Sequence, residues 1–420
     1  LRRSYVVGLL TASALAVSPS RRLAAQASPP AQPPYHADSM AVVSVVKTAL
    51  EAMRSGDSLL LGRMLASGTP MRIVGWRDTP AGPSATVRGD SGAGWLASIA
   101  GSAVGALDER IAEPTVQIDG NLANAWAYYE FFRGAEFSHC GADQFVLGRT
   151  PGGWKIIALN YSFRRAGCRR DLVPTPRQLA LREMVRAERA FAQYADTGGT
   201  PAAFVWALRD DAITLSGDGV AQMKPMYASR RRGPALLSWV PSWADMSEDG
   251  TMGVTTGPWE WRPARDSAVA RRGNFLTIWV RGAERWQVAL DLGVSGDSTA
   301  HLDEAVIEQP AGITGRARLS DLNDLDKDRI KGDGWLEALR RLASPDVRVL
   351  RDNAPRGTGP DALTGARSVR FAPLGGRVAP SGDLGATWGT WRDGNTRGSY
   401  VRIWKRTAEG WRVVVDRMGE

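Results

Sequence analysis

The sequence predicts an α+β fold made of three tandem units, each packing helices on a curved antiparallel sheet, and three observations carry that expectation. The chain has 420 residues, whereas a single hydrophobic core stops growing at roughly 250–300, so several folded units are required. A glycine and tryptophan pattern recurs at intervals of domain size. Ahead of each recurrence the apolar period changes from that of a strand to that of a helix.

The recurrence is ungapped in the second half of the chain. GTMGVTTGPW (250–259) and GDLGATWGTW (382–391) share Gly250/Gly382, Gly253/Gly385, Thr255/Thr387, Gly257/Gly389 and Trp259/Trp391. Downstream, GNFLTIWV (273–280) matches GSYVRIWK (398–405), and RWQVALD (285–291) matches GWRVVVD (410–416). The first third carries a looser version: GNLANAWAYY (120–129), DQFVLGRT (143–150) and GWKIIAL (153–159). Trp154, Trp286 and Trp411 therefore mark one position three times, 132 and 125 residues apart. Each trio reads as three antiparallel strands, with turn residues such as Pro151-Gly152-Gly153 ahead of the last.

Helices precede each trio. Within 38–55, Val43, Val46, Leu50 and Met53 share one helical face, with Lys47, Glu51 and Arg54 opposite. Gly56 ends that helix and Asp57 caps the next, 58–66. In the second unit Leu181, Met184, Val185, Phe191, Ala192 and Ala195 form the stripe. Gly198-Gly199 close it, and Thr200-Pro201 open a helix over 202–208. In the third, Ser320 precedes 322–330 and Asp333 precedes 335–342. A short strand follows each helix pair, at 71–76, 212–215 and 347–351. Boundaries then fall in the Pro- and Arg-rich stretch 164–176 and the Gly-rich stretch 293–318, giving units 38–163, 177–292 and 319–420.

A hydrophobic content of 43% with only 2 Cys excludes a disordered, collagen-like or disulfide-stapled chain. Residues 1–27 place Arg2 and Arg3 before an apolar stretch, 5–17, and end in Ala25-Gln26-Ala27, the layout of a cleavable export signal. A Pro-rich leader, 28–37, follows. The apolar stretch is shorter than the roughly 20 residues that cross a bilayer, so the expected location is periplasmic or secreted, after cleavage near Ala27. Removing 1–27 takes away four Arg and no acid, and the net charge falls from +9 to +5. The remaining basic runs, such as Arg164-Arg165 and Arg230–Arg232, are scattered, which suits a solvated surface better than a nucleic-acid face.

These strings resemble the nuclear-transport-factor-2-like superfamily. The second and third units resemble its SnoaL-like branch, through the Gly-x-apolar-Gly-x-Thr-x-Gly-x-Trp strand, the Ile-Trp strand and the closing Trp…Asp strand. The first unit resembles a branch labelled lumazine-binding, through SHCGADQF (138–145), GWKIIAL and Gly167-Cys168. The resemblance implies three tandem cone-shaped α+β barrels, each wrapping a sheet around a pocket. It says little of function, because the fold hosts isomerases, cyclases, dehydratases and non-catalytic binding modules.

Cys140 and Cys168 fall in the first unit of an exported chain, where an even count favours a disulfide over two free thiols. Glu188 lies at the centre of the second unit's helical stripe. A carboxylate aimed at an apolar interior is desolvated and its pKa raised, as a general acid or base requires; the alternative is a Glu188 that pairs with a buried Arg or accepts hydrogen bonds from strand edges. Asp291 and Asp416 occupy equivalent places on the last strands, where the first unit has Leu159. Asp291 is the candidate partner of Glu188, or else a turn acceptor. Trp126, Tyr128, His139, Trp206, Trp259, Trp279, Trp388 and Trp404 either line ligand pockets or fill sheet cores. The three His and two Cys have no zinc spacing, and no phosphate loop or dinucleotide fingerprint occurs, so neither metal nor cofactor is expected.

The function expected is that of an exported, non-catalytic protein binding a small apolar or aromatic ligand, or a protein partner through its sheets. The alternative is a SnoaL-like isomerase, cyclase or dehydratase using a buried carboxylate of the second unit. A third expectation is an assembly module that pairs sheet to sheet. Nucleic acid and a membrane span are not expected, whereas self-association through sheet faces is compatible with all three.

Overall fold

The structure, a computed structural model, describes residues 35–79, 82–216, 219–302, 304–326, 330–365 and 369–419. The expected export signal 1–27 and the leader up to residue 34 lie outside the described residues. The first unit comprises α1 (Tyr35–Ser55), α2 (Ser58–Met64), β1 (Pro70–Thr79), β2 (Gly82–Ser91), α3 (Gly92–Ile99), β3 (Leu107–Ile111), β4 (Thr115–Asp119), β5 (Leu122–Arg133), β6 (Glu136–Thr150) and β7 (Gly153–Phe163). The second comprises α4 (Pro176–Gly198), α5 (Thr200–Ala207), β8 (Leu208–Ser216), β9 (Gly219–Gln222), α6 (Met223–Ala228), β10 (Leu236–Trp239), β11 (Trp243–Met246), β12 (Met252–Arg262), β13 (Arg271–Arg281), β14 (Trp286–Ser295) and β15 (Ile307–Glu308). The third comprises α7 (Leu319–Asp324), α8 (Trp335–Leu342), β16 (Ala343–Arg351), β17 (Gly357–Thr358), β18 (Arg370–Val378), β19 (Leu384–Asp393), β20 (Thr396–Thr407) and β21 (Gly410–Gly419).

Each unit has its own sheet, and the three share one plan. The long strands pair antiparallel in sequence order, β5-β6-β7, β12-β13-β14 and β19-β20-β21. The short strand that leaves the helices, β1, β8 or β16, runs parallel to the last of each trio. Helices on one side of each curved sheet complete the three tandem α+β barrels. Register makes the correspondence residue by residue: Trp154 faces Arg149, Trp286 faces Arg281 and Trp411 faces Arg406. A β-bulge follows at the same step in all three sheets, between Val146 and Leu147, Ile278 and Trp279, and Ile403 and Trp404. An extra residue there sharpens the bend of the sheet around its helix.

The repeated glycines have spatial causes. Gly250 and Gly382 take φ of +66° and +67°, the left-handed turn conformation that leads into β12 and β19. Gly253 and Gly385 admit the first helix: a Cβ on Gly253 would sit 2.2 Å from Met184 Sδ, and one on Gly385 2.4 Å from Leu322 Cδ1. Helix α4 starts at a capping box, in which the Thr175 hydroxyl accepts from the Gln178 N–H (3.2 Å) and the Gln178 side chain from the Thr175 N–H (2.8 Å). From there the helix buries Leu181, Met184, Val185, Glu188 and Phe191 against its sheet.

Successive strand residues point to opposite faces, and the face away from the helices is also covered in two units. Val254, Leu276, Ile278, Leu290 and Leu292 of the second unit pack on Leu384, Ala386, Val401, Ile403 and Val415 of the third. The stretch 293–318 between them is not slack: β15 adds to β11 in parallel, and the Val306 N–H donates to the Thr48 hydroxyl of α1 (3.2 Å). Cys140 and Cys168 form a disulfide with a Cα–Cα separation of 5.8 Å, tying the segment after β7 back to β6. Among the described residues no helix is long and apolar enough to cross a membrane.

Candidate functional site

The second unit encloses a cavity of about 300 Å³ between its sheet and helices α4, α5 and α6. Its walls are aromatic and aliphatic: Trp239, Trp259, Phe275 and Leu237 from the sheet, Phe191 and Phe204 from α4 and α5, and Met223, Met226 and Tyr227 from α6. Phe191 meets Trp239 edge to face at 4.8 Å, and Phe204 stacks on Tyr227 at 4.0 Å, so the walls brace one another. Arg271 lies at the mouth, its guanidinium 4.7 Å from the Trp261 ring centre.

Asp291 is the carboxylate of this cavity. It lines the wall and accepts one hydrogen bond from the Thr277 hydroxyl (2.6 Å). Burial, offset in part by that bond and reinforced by the nearby Glu188 charge, pushes its pKa up to about 7. Among the described residues no guanidinium or ammonium pairs with it. At neutral pH it is therefore poised between acid and carboxylate.

Glu188 is fully buried and sits behind the cavity wall. It accepts from Trp239 Nε1 (2.7 Å), Trp279 Nε1 (2.9 Å) and the Thr255 hydroxyl (2.6 Å). Burial raises its pKa against the pull of those three donors. Fully buried and, among the described residues, paired with no cation, Glu188 holds the two indoles in place.

The third unit has the same frame with its interior filled. Arg402, fully buried, forms ion pairs with Asp326 and with Asp416, the latter at 3.0 Å, and Arg351 adds a second bond to Asp416 (2.5 Å). The guanidinium carbon of Arg402 lies 4.4 Å from the Phe371 ring centre and 4.5 Å from that of Tyr400. Opposed charges in so dry a place hold the guanidinium protonated.

The other sequence candidates are dispersed. Trp259 lines the cavity, and Trp279 is buried beneath it as a Glu188 donor. Trp404 is its counterpart in the third unit, donating to the Thr387 hydroxyl (2.9 Å), and Trp388 packs at the seam between the second and third sheets. Trp126 and Trp206 are exposed, 50% and 39% respectively, and neither lines the cavity. Tyr128 lies under the guanidinium of Arg169 at 4.8 Å. His139 is wedged between Phe131 and Phe163, with centroids at 4.8 and 4.4 Å, and burial, aided by Arg133 and Arg165, lowers its pKa to about 4. It is thus a neutral packing group at neutral pH.

Sequence reasoning missed an acid pair in the first unit and a charged seam between units. In the first unit Glu109 and Asp143 share a hydrogen bond, and burial raises both, Glu109 to about 7. The signal available was Asp143 at an inward position of an alternating strand. A wider cleft of about 1000 Å³ is bordered by all three units. Two of its cations, Arg177 and Lys405, are both tied to Asp245, which marks a charged seam between units.

No family model matches the chain, and no curated protein matches it. Among solved structures it is similar to an NTF2-like protein with a cystatin-like fold from Novosphingobium aromaticivorans, at 17% identity, covering 32% of this chain and 86% of that one with a TM-score of 0.25. An NTF2-like protein of unknown function from Shewanella baltica matches at 18% identity over 32% of this chain and 100% of its own, TM-score 0.25. One from Silicibacter pomeroyi matches at 22% identity over 30% and 93%, TM-score 0.23.

Proposed function

We propose that the chain is an exported small-molecule-binding protein of the nuclear-transport-factor-2-like superfamily, with the aromatic cavity of the second unit as its working site. The three units descend, in this reading, from one repeated unit that fills 38–163, 177–292 and 319–420, the last two of SnoaL-like type. The observation that carries the site is the contrast between units: where the third fills its interior with Arg402, the second keeps about 300 Å³ open beside Asp291. An aromatic cavity with one anchoring polar group is what recognition of a flat or apolar molecule requires. The disulfide favours an oxidising compartment, in agreement with an export signal at 1–27.

Native mass spectrometry of the protein from its own host tests this. The expected result is a retained small molecule that is lost when Gly293→Trp fills the cavity wall. A bound molecule that survives this substitution overturns the assignment. A second reading, proton transfer by Asp291 as general acid or base, is favoured by its pKa near 7. It predicts that Asp291→Asn abolishes turnover of the molecule so found while leaving its binding in place.

A further inference from the structure

The third unit shows what the second unit's frame is built to hold. Gly253 and Gly385 face Met184 and Leu322, so one helical turn on Glu188 corresponds to Asp326. Thr277 faces Asp291 as Arg402 faces Asp416. Trp239 lies opposite Trp259 as Phe371 lies opposite Trp391, and Phe275 opposite Gly257 as Tyr400 opposite Gly389. Counterparts of both carboxyls and of both aromatic walls around the Arg402 guanidinium are thus present in the second unit, whereas Thr277 stands in place of Arg402 and, among the described residues, nothing pairs with Asp291 as Arg351 does with Asp416.

We propose that the second unit's cavity takes a small organic cation with a planar guanidinium or amidinium head, seated against Asp291 and between Trp239 and Phe275. This rests on the cavity being the working site and adds the ligand's charge. A planar cation suits both partners: it pairs with a carboxylate through parallel N–H donors and stacks on aromatic faces. The groups facing Asp291 allow it. Thr277 is a neutral donor, Tyr227 a phenol that burial keeps protonated, and Glu188 adds negative charge. The opposing charges are Arg271, exposed at the mouth, and Arg230, stacked at 4.8 Å on the Tyr227 ring; Arg271 is screened by solvent. Asp291, half protonated near pH 7 when alone, ionises fully beside the cation.

The test compares phenylguanidine with phenylurea, a neutral molecule of the same shape, by calorimetric titration of the full chain. The expected result at pH 8 is about tenfold or greater preference for phenylguanidine, weakening as pH falls below 7. Asp291→Asn should abolish the preference, so that the two probes bind alike. Thr277→Arg, which supplies the missing guanidinium from within, should exclude phenylguanidine while circular dichroism shows the fold intact. Equal binding of the two probes, or a preference that survives Asp291→Asn, overturns the cation while leaving the cavity as the site. Failure of both probes to bind overturns the two together.

Discussion

Asp291 and Asp416 show how one residue position acquires two characters. In the third unit the carboxylate lies against Arg402 and Arg351, whereas in the second it has a single hydroxyl donor and a raised pKa. Because the folded pKa, about 7, exceeds the value of about 3.9 expected when unfolded, the folded state binds the extra proton, and this contribution is complete below pH 4 and lost as pH rises through 7. Asp291→Asn should therefore match the parent protein in thermal stability at pH 4 and exceed it at pH 8, by about 1–2 kcal/mol after allowance for access to water. Equal stability of the two at pH 8 would contradict the raised pKa. Arg402→Leu has the opposite sense. It leaves two buried carboxyls without the guanidinium between them and should cost about 3–5 kcal/mol in urea denaturation of the third unit.

At the scale of elements, helices α1 and α4 and the nine long strands were legible because each repeats one period over enough residues to register, whereas the shorter helices of the third unit carried a weaker pattern. The segments between the short strand and the trio were not. Strand β10 and helix α6 are four and six residues long, too short for a period to register, yet they supply Trp239, Met223, Met226 and Tyr227 to the cavity. Asp291, the carboxylate of the cavity, could thus be singled out from sequence, while most of the walls could not. Glu188 was visible as a charge on an apolar stripe, but sequence could not say that Trp239 and Trp279 would seal it. Two glycine substitutions test why the repeated strand is glycine-rich. Gly257→Ala places a Cβ 2.1 Å from the Val240 carbonyl oxygen, and backbone cannot yield, whereas Gly253→Ala meets chiefly the flexible ends of Met184 and Met246 and comes no nearer to backbone than 2.9 Å, at the Asp245 carbonyl oxygen. Gly257→Ala should cost about 2–3 kcal/mol in denaturant unfolding and Gly253→Ala about half as much; the reverse order would contradict this account of the strand. Replacing Cys140 and Cys168 together by Ser should lower the stability of the first unit by roughly 3–4 kcal/mol, the chain-entropy value for such a loop, and leave the melting of the other two unchanged.

At the scale of the molecule, the second and third sheets bury their outer faces on each other, so the two units should unfold together. Ile403, fully buried in that seam, makes the point: Ile403→Asp places an unpaired charge there and should lower the shared melting transition of the two units in calorimetry, while a separate transition of the third unit, shifted alone, would show the units to be independent. The common plan was readable from the recurring Trp and Gly positions. What differs between units is the filling of each concave interior, and single residues such as Thr277 against Arg402 decide that. The most direct test is a crystal structure of the protein purified from its own host without added ligand. It should show density enclosed by Trp239, Trp259 and Phe275 beside Asp291, with Arg402 held between Asp326 and Asp416. A second-unit interior closed by its own side chains, with density only in the cleft bordered by the three units, would contradict it.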